Sequence, residues 1–306
     1  MKICFIGMGS IGKRHFNNLA EVLSNKNITF KTDVIRSSSR QLDESISKYV
    51  NNSYFDIADA DRDYDITFVT NPTSAHYQTM KQMVDRTKHM FIEKPAFDDF
   101  GYDLSMLNEN SIYYVACPLR YSNVISYLKE HLADKKVFAV RAICSSYLPD
   151  WRLDVDYRTV YSAKKSLGGG VSLDLIHELD YITYLFGMPL KVKNMQGKYS
   201  ELEIDSEDVS IYMLEYKDKL VSLHLDYFGR TKKREIEIFT EDDVVVGDLV
   251  NNKITMLTTK KSVNFAEVRD DYQIKELEHF IDIINGKAEN SNNILHANEI
   301  LKMAKG

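Results

Sequence analysis

Cysteine is scarce: the 306 residues hold three, Cys4, Cys117 and Cys144, an odd number at wide spacing. That leaves no disulfide framework and no zinc-type ligand cluster. No metal site is expected, and a reducing cytoplasm is the expected compartment. Long apolar runs are missing too. No stretch approaches the ~20 residues of a membrane helix, and the apolar opening at residues 1–8 is too short for the core of a secretion signal. An excess of basic residues is also absent, since the net charge is -6. A nucleic-acid binder needs a positive footprint to neutralise phosphates. An anionic small molecule stays compatible, because a few local Lys and Arg residues can build a positive cleft. No internal repeat or low-complexity tract is visible.

What is present is enough apolar material for more than one core, so two domains are expected. In the first third, short apolar runs at 2–6, 30–35, 65–70, 90–92 and 112–115 alternate with helix-period segments at 11–23, 74–84 and 99–107. Repeated β-α-β predicts a doubly wound parallel sheet. The pattern changes near Pro118. A helix at 123–131 and a strand at 137–145 precede a polar, aromatic loop at 147–165. Gly168-Gly169-Gly170 then introduces a helix over 172–186, stopped by Gly187 and Pro189. Short strands follow at 209–216, 220–228, 234–240, 244–249 and 253–257, then helices at 272–284 and 294–304. Val221, Leu223, Leu225 and Tyr227 alternate with Ser222, His224 and Asp226, the pattern of an antiparallel sheet with one covered face. His224 is assigned to the sheet or to an interface. The expected division is 1–119 and 120–306.

Gly7-Met8-Gly9-Ser10-Ile11-Gly12 follows the first strand and opens the first helix. In that context the spacing G-x-G-x-x-G is a dinucleotide fingerprint. Gly7 permits the tight turn, Gly9 lets the backbone approach a pyrophosphate, and Gly12 allows helix and strand to pack closely. Ser10 and Ile11 supply free N–H groups at the positive end of the helix. At the end of the second strand an acid would bind ribose hydroxyls. The sequence instead gives Arg36-Ser37-Ser38-Ser39-Arg40, and Arg36, Ser37, Ser38 and Arg40 suit a 2′-phosphate. NADP is therefore the expected cofactor and NAD the alternative, with Asp33 returning to contention if the strand ends earlier.

Glu93-Lys94-Pro95 follows the fourth strand, at the sheet end where ligands bind. Lys94 is either a rigidly held catalytic group or a surface lysine in a turn. In the helix after the three glycines, Asp174, His177, Tyr181 and Tyr184 fall on one face. A histidine there can accept the proton of an alcohol losing hydride; the plainer reading is a surface helix with an incidental histidine.

Taken in order, the glycine fingerprint, Asn71-Pro72-Thr73-Ser74-Ala75-His76, Glu93-Lys94-Pro95 and Gly168-Gly169-Gly170 with His177-Glu178-Leu179-Asp180 resemble the glucose–fructose oxidoreductase / inositol dehydrogenase / MocA family. The likeness runs to about Tyr227. It implies an N-terminal Rossmann domain and an α+β domain with a large open, mostly antiparallel sheet, serving substrate binding and oligomerisation. It implies that Lys94 and His177 lie beside the cofactor with an acid close by, that Asn71, Pro72 and His76 line the nicotinamide side, and that Glu93 meets the ribose. Many members place the acid four residues before the histidine; here Asp174 stands three before His177. Arg120-Tyr121 resembles an Arg-aromatic step after the last Rossmann strand. The loop carrying Trp151, Arg152, Tyr157, Arg158 and Tyr161 resembles loops of members linked to surface-sugar biosynthesis; Trp and Tyr faces can stack on sugar rings or bases and Arg can clamp phosphate, and the plainer reading is a packed interdomain loop.

The expected function is hydride transfer between NADP and a secondary alcohol of a sugar or nucleotide-sugar. Lys94, His177 and Asp174 would be catalytic, and Arg120 with the loop residues would bind substrate. A homodimer or homotetramer is expected, with no nucleic-acid or membrane partner. Two other readings are a non-catalytic NAD(P)-binding regulator and an NAD-dependent enzyme that uses transient sugar oxidation to drive elimination.

Overall fold

Ile3, Cys4, Phe5 and Ile6 are each at most 4% exposed, the continuous apolar run of a parallel strand covered on both faces. The computed structural model describes all residues, Met1–Gly306. The buried run is β1 (Lys2–Ile6), followed by α1 (Ser10–Asn25), β2 (Lys31–Ile35), the single-turn α2 (Glu44–Ser47), β3 (Val50–Tyr54), β4 (Tyr64–Val69), α3 (His76–Met83), β5 (Thr87–Ile92) and β6 (Tyr113–Val115). The sheet order is β3-β2-β1-β4-β5-β6, with every pairing parallel. The chain winds outward from β1 in one direction and from β4 in the other, so the order reverses between them. That switch point, at the strands' C-terminal ends, is where doubly wound sheets take ligands.

The second region holds α4 (Asn123–His131), β7 (Val137–Tyr147), α5 (Val171–Asp174), α6 (His177–Phe186), β8 (Lys191–Gly197), β9 (Val209–Glu215), β10 (Leu220–Asp226), β11 (Phe228–Thr240), β12 (Val244–Asp248), β13 (Lys253–Met256) and β14 (Lys261–Asn264). Its eight strands run β14-β13-β12-β11-β7-β10-β9-β8. All neighbours are antiparallel except β7 and β10. Val221, Leu223, Leu225 and Tyr227 are buried as their alternation predicts, and Cys144, Ile236 and Ile238 join them. Burial pushes the Cys144 thiol up to about 12, so it acts as a small apolar residue. On the opposite face Ile211 and Met213 are exposed.

The chain closes with α7 (Arg269–Ile284) and α8 (Ile294–Lys305). Two compact units result: Met1–Ala116 with Arg269–Glu299, and Cys117–Val268 with Ile300–Gly306. Against the expected division at 119/120, the first break falls at 116/117, and residues 269–299 group with the first unit before 300–306 return to the second. The reason is apolar: α7 packs on α1, and its Phe280 meets the rings of Phe68, Phe91 and Tyr114.

Two expected helices change. Residues 99–107 are not helical. Asp103 accepts hydrogen bonds from the N–H and hydroxyl of Ser105 at 2.9 Å each, a local turn that competes with helix. The helix expected over 172–186 breaks into α5 and α6, because Leu175 takes φ -100° and ψ 26°. Strands β3, β8 and β14 were not anticipated; their sequences are polar and largely exposed.

Candidate active site

The glycine turn is closed at two positions and open at one. Gly7 takes φ +93°, and a Cβ there would lie 2.7 Å from the Asn71 backbone. At Gly12 a Cβ would lie 2.2 Å from the Gly7 carbonyl oxygen. The Thr70 hydroxyl donates to that same oxygen at 2.6 Å and pins it over the helix. At Gly9 no atom lies within 4 Å of the Cβ position. Gly9 caps α1, and no side chain bonds to the helix end. Unshielded N–H groups at Ser10 and Ile11, with space in front of them, fit a pyrophosphate.

Past β2, no carboxylate stands at the strand tip. Asp33 lies inside the strand, 2% exposed. It accepts from Asn52 N and Nδ2 at 3.1 and 3.0 Å and from the Tyr64 hydroxyl at 2.9 Å. Arg36 donates to Ser53 Oγ at 2.9 Å and to the Arg40 carbonyl, and the Ser38 hydroxyl accepts from Arg40 N at 3.2 Å. Ser37, Ser38 and Arg40 are exposed.

Asn71 donates to Thr79 Oγ1 at 2.7 Å, while its buried Oδ1 has no partner. His76 is 1% exposed. Its Nδ1 lies 3.1 Å from the Ala96 carbonyl and its Nε2 2.9 Å from the Asn71 carbonyl. The expectation that His76 lines the nicotinamide side is corrected: the ring is sealed inside the unit and ties residue 71 to the segment after Pro95. Pro72, by contrast, is exposed.

Glu93 closes β5 beside the cis Lys94–Pro95 bond. Its Oε1 bonds His15 Nε2 on α1, and its Oε2 accepts Lys94 N at 3.2 Å. Burial is the largest single effect and works against the charge, but the bond from His15 and the neighbouring positive charges, Lys94 among them, together outweigh it and hold the carboxyl below its ordinary range. His15 was not anticipated. The available signal was its place three residues past Gly12, on the inward face of α1.

In the second unit, Gly168 and Gly170 take φ +81° and +136°. A Cβ at Gly169 would lie 2.0 Å from the Tyr161 carbonyl, so the glycines lie flush on the aromatic loop. Glu207 receives the N-terminus of α5: its carbonyl accepts Val171 N at 3.1 Å, and its carboxylate accepts the Ser172 hydroxyl at 2.6 Å. Asp174 then presents a 6% exposed carboxylate to two phenols. Tyr161 donates to one oxygen and Tyr227 to the other. Burial and the Asp174 charge push both phenols far above their ordinary value, so they remain donors. His177 opens α6 and is partly exposed. The single polar face expected for Asp174, His177, Tyr181 and Tyr184 does not form. Tyr181 is fully buried, beside the ion pair of Glu178 and Arg234, 2.6 Å apart.

Four of the loop residues, Trp151, Arg152, Tyr157 and Tyr161, line one cavity of about 190 Å³. Trp151 donates to Ser146 Oγ at 2.9 Å and stands perpendicular to Tyr227, ring centres 5.3 Å apart. The other two substrate candidates are engaged elsewhere. Arg158 grips Asp156 at 2.8 Å and Glu203 at 2.9 Å. Arg120, 3% exposed, forms a bidentate pair with Asp180 at 2.9 and 2.6 Å. Arg158 and Arg120 were expected to bind substrate; in the structure carboxylates of the same unit engage both forks. His224 bonds Asp226 at 3.0 Å, a pair within its strand.

No group of three or more His, Cys, Asp or Glu residues is placed to hold a metal ion, and no helix is long and apolar enough to cross a membrane. A Rossmann unit with an open glycine turn, joined to a large mixed sheet carrying an acid and a histidine after a glycine run, defines a dinucleotide-dependent oxidoreductase architecture. Two family models match: the GFO/IDH/MocA oxidoreductase family, NAD-binding Rossmann fold, over residues 1–108, and the GFO/IDH/MocA C-terminal domain over residues 125–246. The chain belongs to the GFO/IDH/MocA oxidoreductase family. Among curated proteins it is 25% identical over 189 residues to the uncharacterized oxidoreductase YrbE of Bacillus subtilis (strain 168), a match covering 60% of this chain and 52% of that one. The chain thus spans about half the length of that relative. Solved structures share the fold. A levoglucosan dehydrogenase in complex with NADH and levoglucosan superposes with TM-score 0.85 at 17% identity, over 100% of this chain and 95% of that one. The UDP-N-acetylglucosamine 3-dehydrogenase GnnA from Acidithiobacillus ferrooxidans gives 0.76 at 19% identity, over 100% and 95%. The WlbA dehydrogenase from Bordetella pertussis, in complex with NADH and UDP-GlcNAcA, gives 0.78 at 14% identity, over 100% and 94%.

Proposed function

We propose that the protein is an NAD(P)-dependent dehydrogenase acting on a secondary alcohol of a sugar or nucleotide-sugar. The observation that carries this is the glycine turn, sterically closed at Gly7 and Gly12 and open at Gly9, at the switch point of the sheet. Gly9, Ser10 and Ile11 would hold the pyrophosphate by backbone N–H groups. A nicotinamide held there would supply the hydride acceptor.

His177 takes the substrate hydroxyl proton as general base. Lys94 stabilises the developing alkoxide electrostatically. Glu93, held by His15, fixes the segment that carries Lys94. Asp174, its carboxylate held by two phenols that stay protonated, orients His177 or binds substrate.

NADP is the favoured cofactor. Asp33 is committed inside the strand, and no carboxylate neutralises Arg36 or Arg40, so the positive charge beside the strand tip suits a 2′-phosphate, although Arg36 already donates to Ser53 and to the Arg40 carbonyl. NAD is the competing reading, because the levoglucosan dehydrogenase and WlbA structures were captured with NADH. Calorimetric titration with each dinucleotide decides: about tenfold or tighter binding of NADP is expected, and equal or tighter binding of NAD removes the preference. A homo-oligomer using the exposed face of the eight-stranded sheet is also proposed, checked by light scattering.

A further inference from the structure

Two arginines in the loop that forms the cavity meet opposite surroundings. Arg158 is neutralised by Asp156 and Glu203, at 2.8 and 2.9 Å. Arg152 lines the cavity beside Trp151, Tyr157 and Tyr161 and forms no salt bridge. Its sequence neighbours Asp150 and Asp154 are exposed and do not reach back to it. Its charge is nevertheless felt inside: at the Tyr161 hydroxyl it opposes the rise caused by burial and by Asp174. The buried carboxylate behind that hydroxyl, Asp174, is already engaged by two phenols. The cavity therefore pairs aromatic walls with one cation that has no anion of its own.

We infer that the substrate brings that anion: the cavity takes a sugar bearing an oxyanion, either a carboxylate on the ring or the diphosphate of a nucleotide-sugar, and Arg152 is the residue that selects it. This rests on the proposal that the protein binds a sugar, and it narrows the class to charged ones. A guanidinium presents paired N–H donors that match a carboxylate or phosphate edge. Trp and Tyr faces give a sugar ring its apolar contact. At about 190 Å³ the space is below the roughly 300–1,000 Å³ of pockets that enclose a drug-sized ligand. It thus encloses the charged end of a substrate and leaves the remainder outside.

The test is calorimetric titration of the full chain, with NADPH or NADH present, against glucose, glucuronate and UDP-glucose. The expected result is that glucuronate or UDP-glucose binds about tenfold or more tightly than glucose. Arg152→Gln reduces that margin to about twofold, and Arg152→Lys, which keeps charge but not the paired donors, retains part of it. Arg158→Gln leaves the margin intact, because its guanidinium is already neutralised. The larger of the two anion margins identifies the source. Equal binding of all three ligands, binding of none, or a margin that survives Arg152→Gln overturns the inference. Turnover separates it from the broader proposal. Oxidation of glucose at least as fast as of the charged sugars defeats this inference alone. An Arg152-dependent anion margin with no turnover of any sugar defeats the dehydrogenase reading alone.

Discussion

In the turn at residues 7–12 the recognising atoms belong to the backbone; around Asp174 they belong to side chains drawn from three segments. The turn works through what is missing. Side chains are excluded at Gly7 and Gly12 by carbonyl and Cα atoms, and at Gly9 their absence leaves open space. The acid works through what is supplied. Tyr161 and Tyr227, 13 and 53 residues away in sequence, each donate to one oxygen of its carboxylate. The first kind of site tolerates almost no change in residue size. The second tolerates size and fails on loss of a hydroxyl.

Substitution at the turn should produce the largest effect. Gly12→Ala drives a methyl group against the Gly7 carbonyl, 2.2 Å away, and should cost about 1–3 kcal/mol of stability along with dinucleotide binding. Gly9→Ala meets no protein atom within 4 Å. It should therefore keep the wild-type Tm while losing about tenfold or more in dinucleotide affinity. Thermal unfolding and calorimetry on the two variants check the contrast. Equal effects of both on Tm would break the division between closed and open positions.

The next effect is at the acid. Tyr227→Phe strips one donor from a buried carboxylate and should destabilise by about 1–3 kcal/mol. Tyr161→Phe should do the same, and the double variant should cost less than the sum if the phenols act as a unit on Asp174. Strict additivity in denaturant unfolding would mean that they serve separate partners.

A smaller effect is expected from acid. The folded pKa of Glu93 lies below its ordinary value, held there by His15 against the opposing effect of burial. Asp208 and Asp226 are likewise depressed, by Ser200 and by His224 respectively, again against burial. A depressed carboxyl contributes stability above the unfolded pKa, about 4, and loses it as the pH falls through the lower folded value. Tm should therefore fall as the pH drops below about 4, and Glu93→Gln should flatten the part of that fall belonging to the first unit. A Tm that rises on acidification contradicts the assignment. The smallest effect is expected at Arg158, an exposed pair whose Arg158→Gln replacement should leave Tm unchanged within error.

The same contrast explains what could be read from the sequence. Gly7, Gly9 and Gly12 carry their meaning in spacing, so the turn, its strand and its helix were legible, as was the parallel sheet built from buried runs such as Ile3–Ile6. The alternation of Val221, Leu223, Leu225 and Tyr227 gave the covered face of the second sheet and placed Tyr227 inside. It could not say that the Tyr227 hydroxyl meets Asp174, because that depends on how three distant segments converge. For the same reason Arg120 looked like a substrate clamp, since Asp180 lies far along the chain; for Arg158 the distant partner is Glu203, while Asp156, two residues before it, was in view but its pairing was not. The break between α5 and α6 lies in the backbone angles of Leu175, an apolar residue with no turn signature. His76 was read as lining the site, and its burial between two carbonyls follows from a fold-back that residue type does not announce.

The most direct test of the whole account is the near-ultraviolet absorbance of reduced nicotinamide, followed as the protein, NADP or NAD, and a panel of neutral and charged sugars are mixed. The account predicts a rise with the wild type, slowed by about 10²- to 10⁴-fold in both His177→Ala and Lys94→Ala. Near-wild-type rates in both variants would contradict it.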